Sequence, residues 1–185
     1  MQESSSPAAN AASSGTLAAD LFRQAATAGR ETLNQAELDT LLAALGVTLT
    51  QEAAPGTLAA VDLRISLNHT REFGMVISAG MGGPDADLDE GNFRRDRASV
   101  YSATELTDAA GFLRLFQRTL AWQRLAAIAK RDGQPVPDQT LSACFEALLA
   151  LAAALDRPDA PYALRSLELN PAHINAGLSV AQARC

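Results

Sequence analysis

The chain is short of lysine. Lys130 is the only one, and every other basic side chain is an arginine. Lys130 also closes a predicted helix, where a basic residue complements the helix dipole. Acidic residues outnumber basic ones, 21 to 15, giving a net charge of −6 and a pI of about 4.9. That balance excludes the basic footprint of a nucleic-acid-binding protein. Two cysteines give no disulfide framework: Cys144 lies in an apolar helical run and reads as a small core residue, and Cys185 is the last residue. A reducing compartment, by default the cytoplasm, fits that usage. His69 and His173 are the only imidazoles. Neither has a carboxylate partner fixed by spacing, and both read as surface loop residues. No Ser/His/Asp or Cys/His arrangement, no G-x-G-x-x-G and no internal repeat is present. The richest apolar run, Leu148 to Leu155, is too short to cross a membrane, and no basic stretch followed by an apolar one opens the chain.

What is present is an ordinary globular composition. Of 185 residues, 48% are hydrophobic and 19% charged, enough for one cored domain, or a core plus an appendage. Residues 1–16 are rich in Ser, Ala and Asn and read as a flexible leader. Residues 17–47 form a helical segment: Leu17, Leu21, Phe22 and Ala25 have helical spacing before Gly29. Asn34 and Glu37 then make a capping-box start for a stripe of Leu38, Leu41, Leu42 and Leu45.

Residues 48–185 change character. Val61, Leu63, Ile65 and Leu67 alternate with polar residues, and Phe73, Met75, Ile77 and Ala79 return after a polar turn at 68–72, which predicts a β-hairpin. It runs into Gly80-Met-Gly82-Gly83-Pro84, suited to close backbone approach or positive φ, whether for a phosphate or for a tight bend. Asp85, Asp87 and Asp89 before Gly91 imitate a calcium loop, but the glycine is one position late and Asp96 stands at the twelfth position, so a solvated acidic loop is expected. Arg94, Arg95 and Arg97 follow it and suit either an ion pair with that loop or an anionic ligand.

Downstream, Ala98 to Tyr101 is a short strand. A helical tract from Asp108 to Ala129, capped by Thr107, breaks near Trp122, and an apolar helix follows over Leu141 to Leu155. Arg165 to Pro171 is a strand with Leu167 and Leu169 on one face and Glu168 and Asn170 on the other, stopped by Pro171. A carboxylate and an amide oxygen side by side suit a hard cation such as Mg²⁺, and equally the solvated face of an edge strand. Another strand over Leu178 to Ala183 closes the chain, and a strand reaching so near the last residue suggests a truncated end. Helices and mostly antiparallel strands in this order predict an α+β domain.

Three of these stretches together resemble the ATP-grasp domain of ADP-forming (NDP-forming) acyl-CoA synthetases, relatives of the succinyl-CoA synthetase β subunit. Leu33-Asn-Gln-Ala-Glu37 through Leu41-Leu-Ala-Ala-Leu-Gly46-Val is similar to that family's opening helix. Arg71-Glu-Phe-Gly74-Met-Val-Ile-Ser-Ala-Gly80-Met-Gly82-Gly83 resembles its hairpin strand and diglycine, and Leu167-Glu168-Leu-Asn170-Pro171 its metal-bearing strand. The resemblance covers roughly residues 33–183. It implies an ATP-grasp C-terminal-subdomain-like antiparallel sheet packed with helices, behind a short N-terminal helical segment. It implies ATP and Mg²⁺ as cofactors, with Gly82 and Gly83 at the glycine turn and Asn170 and Glu168 as metal ligands. Such a domain supports phosphoryl transfer through a phosphohistidine and works with a CoA-binding ligase domain or subunit.

The chain departs from the family in several places. Only ten residues separate Val47 from Leu58, where the family carries a nucleotide-clamping subdomain with its phosphate-binding lysines. Phosphoryl transfer rests on that cationic positioning. Gln182 falls where a second metal carboxylate is expected, Thr70-Arg71 replaces an Asp-Pro turn, and no CoA-binding Rossmann unit occurs. The expected function is therefore a module inactive alone, a scaffold or regulatory part of a CoA-ligase assembly. The alternatives are a piece of a split ligase that binds Mg·ATP with a partner chain, and a small-ligand site between the glycine turn and Glu168. Homo-oligomerisation stays open, and neither nucleic acid nor membrane is expected as a partner.

Overall fold

The computed structural model describes residues 7–49, 61–83, 95–156, 162–174, 178–180 and 183–184. At its centre is the hairpin of β2 (Leu63–Thr70) and β3 (Gly74–Met81), antiparallel in unbroken register from Leu63↔Met81 to Thr70↔Gly74. The period-two pattern dictates this pairing, because slipping by one residue would turn the apolar set to solvent. Strands β1 (Val47–Leu49), β4 (Ser99–Ala103), β5 (Ser166–Ile174) and β6 (Leu178–Val180) extend it into one sheet ordered β1-β6-β5-β2-β3-β4, with β7 (Ala183–Arg184) also on β5. β5-β2-β3-β4 are mutually antiparallel, and β1 joins β6 in parallel.

One face of the sheet is the core. Leu63, Ile65, Leu67, Met75, Ile77, Ala79, Leu167 and Leu169 are buried there with the helices. A one-turn helix, α3 (Arg95–Ala98), leads into β4, and the largest cover is α6 (Asp138–Leu155), which belongs to the same buried cluster as α4 (Ala109–Phe116) and α5 (Leu120–Arg131). Phe145 of α6 sits edge-on to Phe112 at 4.9 Å and to Phe116 at 5.8 Å, a geometry that adds to area burial. Asp138 anchors the start of α6 by accepting from Trp122 Nε1 at 2.9 Å and Gln117 Nε2 at 3.2 Å. α6 reaches 18 residues at a mean hydropathy of 1.3, longer than the run its sequence suggested and of the length of a minimal membrane span. Its apolar side, Leu141, Phe145, Leu148 and Leu151 among others, is taken up in the core.

Several expectations are corrected. α1 (Pro7–Thr27) begins well inside the stretch expected to be a flexible leader. Proline suits a first helical position and the alanines after it favour helix. Ala18, Leu21 and Ala25 of α1 are buried, and a Cβ on Gly15 would collide with Ala154 of α6, so the two helices meet closely there. α1 ends in a Schellman turn, with Arg30 N bonded to Ala25 O and Gly29 N to Ala26 O, both at 2.9 Å, and Gly29 at φ +70°. α2 (Gln35–Ala44) carries the expected capping box.

The α4–α5 break falls at residues 117–119, earlier than Trp122. Buried Thr119 causes it: its hydroxyl donates to Phe116 O at 2.7 Å and accepts from Trp122 N at 3.3 Å, closing one helix and capping the next. Asp108, not Thr107, caps α4, accepting from Gly111 N at 2.6 Å. Pro171 does not stop β5. The register moves from Ile65↔Leu169 to Leu63↔Ala172, so β5 carries an extra residue around Asn170–Pro171. A bulge tolerates a residue without an N–H. Nor is β5 an edge strand: it lies between β2 and β6.

Candidate functional site on the polar face of the sheet

The second face of the sheet carries Arg64, Ser66 and Asn68 from β2, Ser78 from β3, Tyr101 from β4 and Glu168 and Asn170 from β5. Strand alternation places them all opposite the buried set. Tyr101 is exposed, while Arg64, Glu168 and Asn170 are half-buried. In the middle Ser66 and Ser78 share a hydrogen bond of 2.8 Å, and Asn68 Nδ2 donates to Ser66 Oγ at 2.7 Å. Both serines are buried yet satisfied, so this part of the face is a closed network.

At the β5 end, residues singled out from the sequence come together. Gly83 N donates to Asn170 Oδ1 at 3.0 Å, across 87 positions of chain. Asn170 Nδ2 donates to Glu168 Oε1 at 3.2 Å, and Arg64 Nε lies 3.4 Å from that same oxygen. Arg64 Nε is shut off from solvent and has no hydrogen-bond partner among the described residues. Gly82 N donates to Asp62 O at 2.8 Å, and a Cβ at Gly82 would overlap the backbone of Leu63. Gly83 stands at φ +62°, with the Asp62 carboxylate where a Cβ would project. The diglycine is thus required by a close backbone crossing, and it presents one amide N–H to Asn170.

This geometry bears on the expected cation. Glu168 and Asn170 offer three side-chain oxygens, of which Asn170 Oδ1 accepts from Gly83 N and Glu168 Oε1 accepts from Asn170 Nδ2. The charge nearest Glu168 is a guanidinium. Among the described residues no three His, Cys, Asp or Glu side chains gather as a metal-binding group. As arranged, the donor set does not fit Mg²⁺: a dication could use the pair only with Arg64 moved aside, because like charges a few ångströms apart repel.

The other sequence candidates are dispersed. His69 is a strand residue of β2, and it does have a carboxylate neighbour, Asp156 at 3.9 Å, which a separation of 87 positions in the chain hid. His173 belongs to β5 and pairs with Ser179. The acidic loop 85–91, Arg94 and Gln182 lie outside the described residues. Sequence reasoning missed Arg64, Ser66, Ser78 and Asp62. Arg64 and Ser66 were legible as the polar half of an alternating strand, but their partners depend on register with β5 and β3. Cys144 is buried and free, its thiol pushed up to about 12 by burial, which makes it inert core.

No family model and no curated protein sequence matches the chain. Solved structures do. The dinucleotide forming acetyl-coenzyme A synthetase 1 of Ca. Korarchaeum cryptofilum, in its apo form, superposes with a TM-score of 0.65 at 18% identity, over 89% of this chain and 97% of that one. The same synthetase in complex with coenzyme A and Mg-AMPPCP gives 0.64 at 16% identity over the same shares. PH1788 from Pyrococcus horikoshii gives 0.51 at 17%, over 67% of this chain and 47% of that one. At these identities the likeness carries the fold. The chain has the α+β architecture of those acetyl-coenzyme A synthetase chains, the ATP-grasp C-terminal-like sheet and helices to which its motifs pointed.

Proposed function

We propose that this chain is an acyl-CoA-synthetase-like (NDP-forming) ATP-grasp module without catalysis of its own, serving as a scaffold or regulatory part of a CoA-ligase assembly. The observation that carries this reading is the internal bonding of the Glu168–Asn170 pair on β5. Asn170 Oδ1 accepts from Gly83, and Glu168 Oε1 is met by both Asn170 and the Arg64 guanidinium, so one oxygen of each residue is engaged inside the chain and a cation already stands beside the pair. The single lysine supports it too: Lys130 lies in the last turn of α5 and is exposed. We read the short connection between Val47 and Leu58 as the loss of the nucleotide clamp. The proposed partner is a CoA-binding ligase domain or subunit, and the proposed compartment is the cytoplasm.

A second reading is favoured by one observation, that the neighbouring synthetase has been captured with coenzyme A and Mg-AMPPCP. In it the chain is part of a split ligase: Arg64 swings away when a partner docks, and Asn170 and Glu168 then hold Mg²⁺ of the nucleotide beside Gly82 and Gly83. Bound Mg·ATP would supply the phosphoryl group, and the contribution of this chain is to orient it. Calorimetric titration of the chain with Mg·ATP, and with ATP free of Mg²⁺, tests the two. Absence of Mg²⁺-dependent heat, alone and with a CoA-ligase partner, fits the scaffold. Heat that appears with the partner and vanishes on Asn170→Ala fits the split ligase.

A further inference from the structure

A cavity of about 560 Å³ opens between the C-terminal half of α1, the connection to α2, and the segment leading into β5. It shares no residue with the Arg64–Glu168–Asn170 group, so it is a separate place on the molecule. It is a half-open groove on the surface, and its volume falls in the range of small-molecule sites. The sequence explains the space. α1 presents Ala25 and Ala26 where larger side chains would fill it, and Phe22, Leu33 and Leu164 complete the apolar walls.

The rim is rigid. Arg30 makes a two-pronged ion pair with Glu37, 2.7 and 2.8 Å, and donates to Thr32 O at 3.0 Å. Glu37 in turn accepts from Asn34 N at 2.8 Å as part of the α2 capping box. The Schellman turn at residues 25–30 fixes the other end of the same connection. The Arg30 charge is therefore cancelled where it stands. Arg165 differs. Its backbone oxygen accepts from His69 N at 2.8 Å, which pins it to β2, while its exposed guanidinium has no ion pair or hydrogen bond among the described residues. The remaining charge on the rim is the exposed carboxylate of Glu31.

We infer that this cavity binds an organic carboxylate with an apolar body: the body lies against Phe22, Leu33, Leu164 and the α1 alanines, and the carboxylate meets Arg165 in the forked geometry that guanidinium favours. The inference is independent of the ligase-like reading. Glu31 sets the polarity of the site: it disfavours a second negative charge on the ligand, so the ligand is a monoanion. Burial of the apolar body supplies most of the affinity, and the charge-assisted contact with Arg165 adds about tenfold and fixes the orientation.

The test is calorimetry on the full chain with sodium octanoate, with octan-1-ol as the uncharged control and phenylalanine as the zwitterionic one. The expected result is saturable one-to-one binding of octanoate, weakened about tenfold or more by Arg165→Gln, in line with loss of a charge-assisted bond. Ala26→Phe, which fills the cavity from an exposed helix position, abolishes it. Circular dichroism of both variants checks the fold, and Arg165→Gln touches only an exposed side chain. No saturable octanoate binding, or binding indifferent to both substitutions, overturns the inference. So does octan-1-ol binding as tightly as octanoate, or preference for phenylalanine, which would give the orienting role to Glu31.

Discussion

Replacing Asn170 by aspartate probes the polar face at its most constrained point. The Gly83 N–H, now 3.0 Å from Oδ1, keeps an acceptor. The Nδ2 that donates to Glu168 Oε1 at 3.2 Å becomes a second carboxylate oxygen. One favourable contact turns into a repulsion between two negative charges at that separation. Coulomb energy there is about 1 kcal/mol at the dielectric of water and about 5 kcal/mol at an effective value near 20. The side chains of Glu168 and Arg64 are 41% and 38% exposed, so the watery limit governs, and Arg64 offsets part of the repulsion. The net cost of Asn170→Asp is about 1 to 2 kcal/mol at neutral pH, or about 3–6 °C in Tm for a chain of this size. A dication reverses the sign, because two carboxylates and the ligand waters make the oxygen-rich site that Mg²⁺ prefers. Urea denaturation with and without millimolar MgCl₂ should show the variant destabilised without Mg²⁺ and restored by it, with wild type indifferent. A variant as stable as wild type without Mg²⁺, or one that Mg²⁺ fails to rescue, would refute this account of the site.

Two further predictions concern the framework. Hydrogen bonds from Arg30 and from the Asn34 backbone hold the Glu37 carboxyl down at about 2, from an ordinary 4.5. A depressed acid stabilises the fold above its unfolded-state value and loses that contribution as pH falls through the folded one. The contribution of Glu37 is therefore full above about 4.5 and drains away toward about 2, and urea melts across this window should show a steeper acid loss for wild type than for Glu37→Gln. Phe145→Ala removes a fully buried ring flanked by Phe112 and Phe116, and should cost about 3–5 kcal/mol by denaturant melt, with secondary structure retained at low denaturant.

The parts of this molecule readable in advance are those written in local spacing. The β2–β3 hairpin follows from alternation within 20 residues, and the Asn34–Glu37 capping box from two side chains three positions apart. What could not be read depends on partners far along the chain. α1 looks like a leader because its Ala- and Ser-rich start has little to bury. It is held at Gly15 by Ala154, near the other end of the protein. The α4–α5 break falls earlier than helical periodicity suggests because it is set by one hydroxyl bonding to the backbone on both sides, a choice that periodicity does not reveal. Pro171 looked like a terminator because the bulge that accommodates it exists only in register with β2. In the candidate site, alternation put Glu168 and Asn170 on one face and flagged the diglycine. That Arg64 would stand 3.4 Å from Glu168 is a matter of strand pairing alone.

The proposed reading is that Glu168 and Asn170 stay in their internal bonds and the chain alone binds no nucleotide through a metal. It is tested most directly by titrating the purified chain with Mg·ATP in a calorimeter, beside ATP without Mg²⁺. The account predicts no saturable Mg²⁺-dependent heat for wild type. Saturable Mg²⁺-dependent binding that disappears in Asn170→Ala would contradict it.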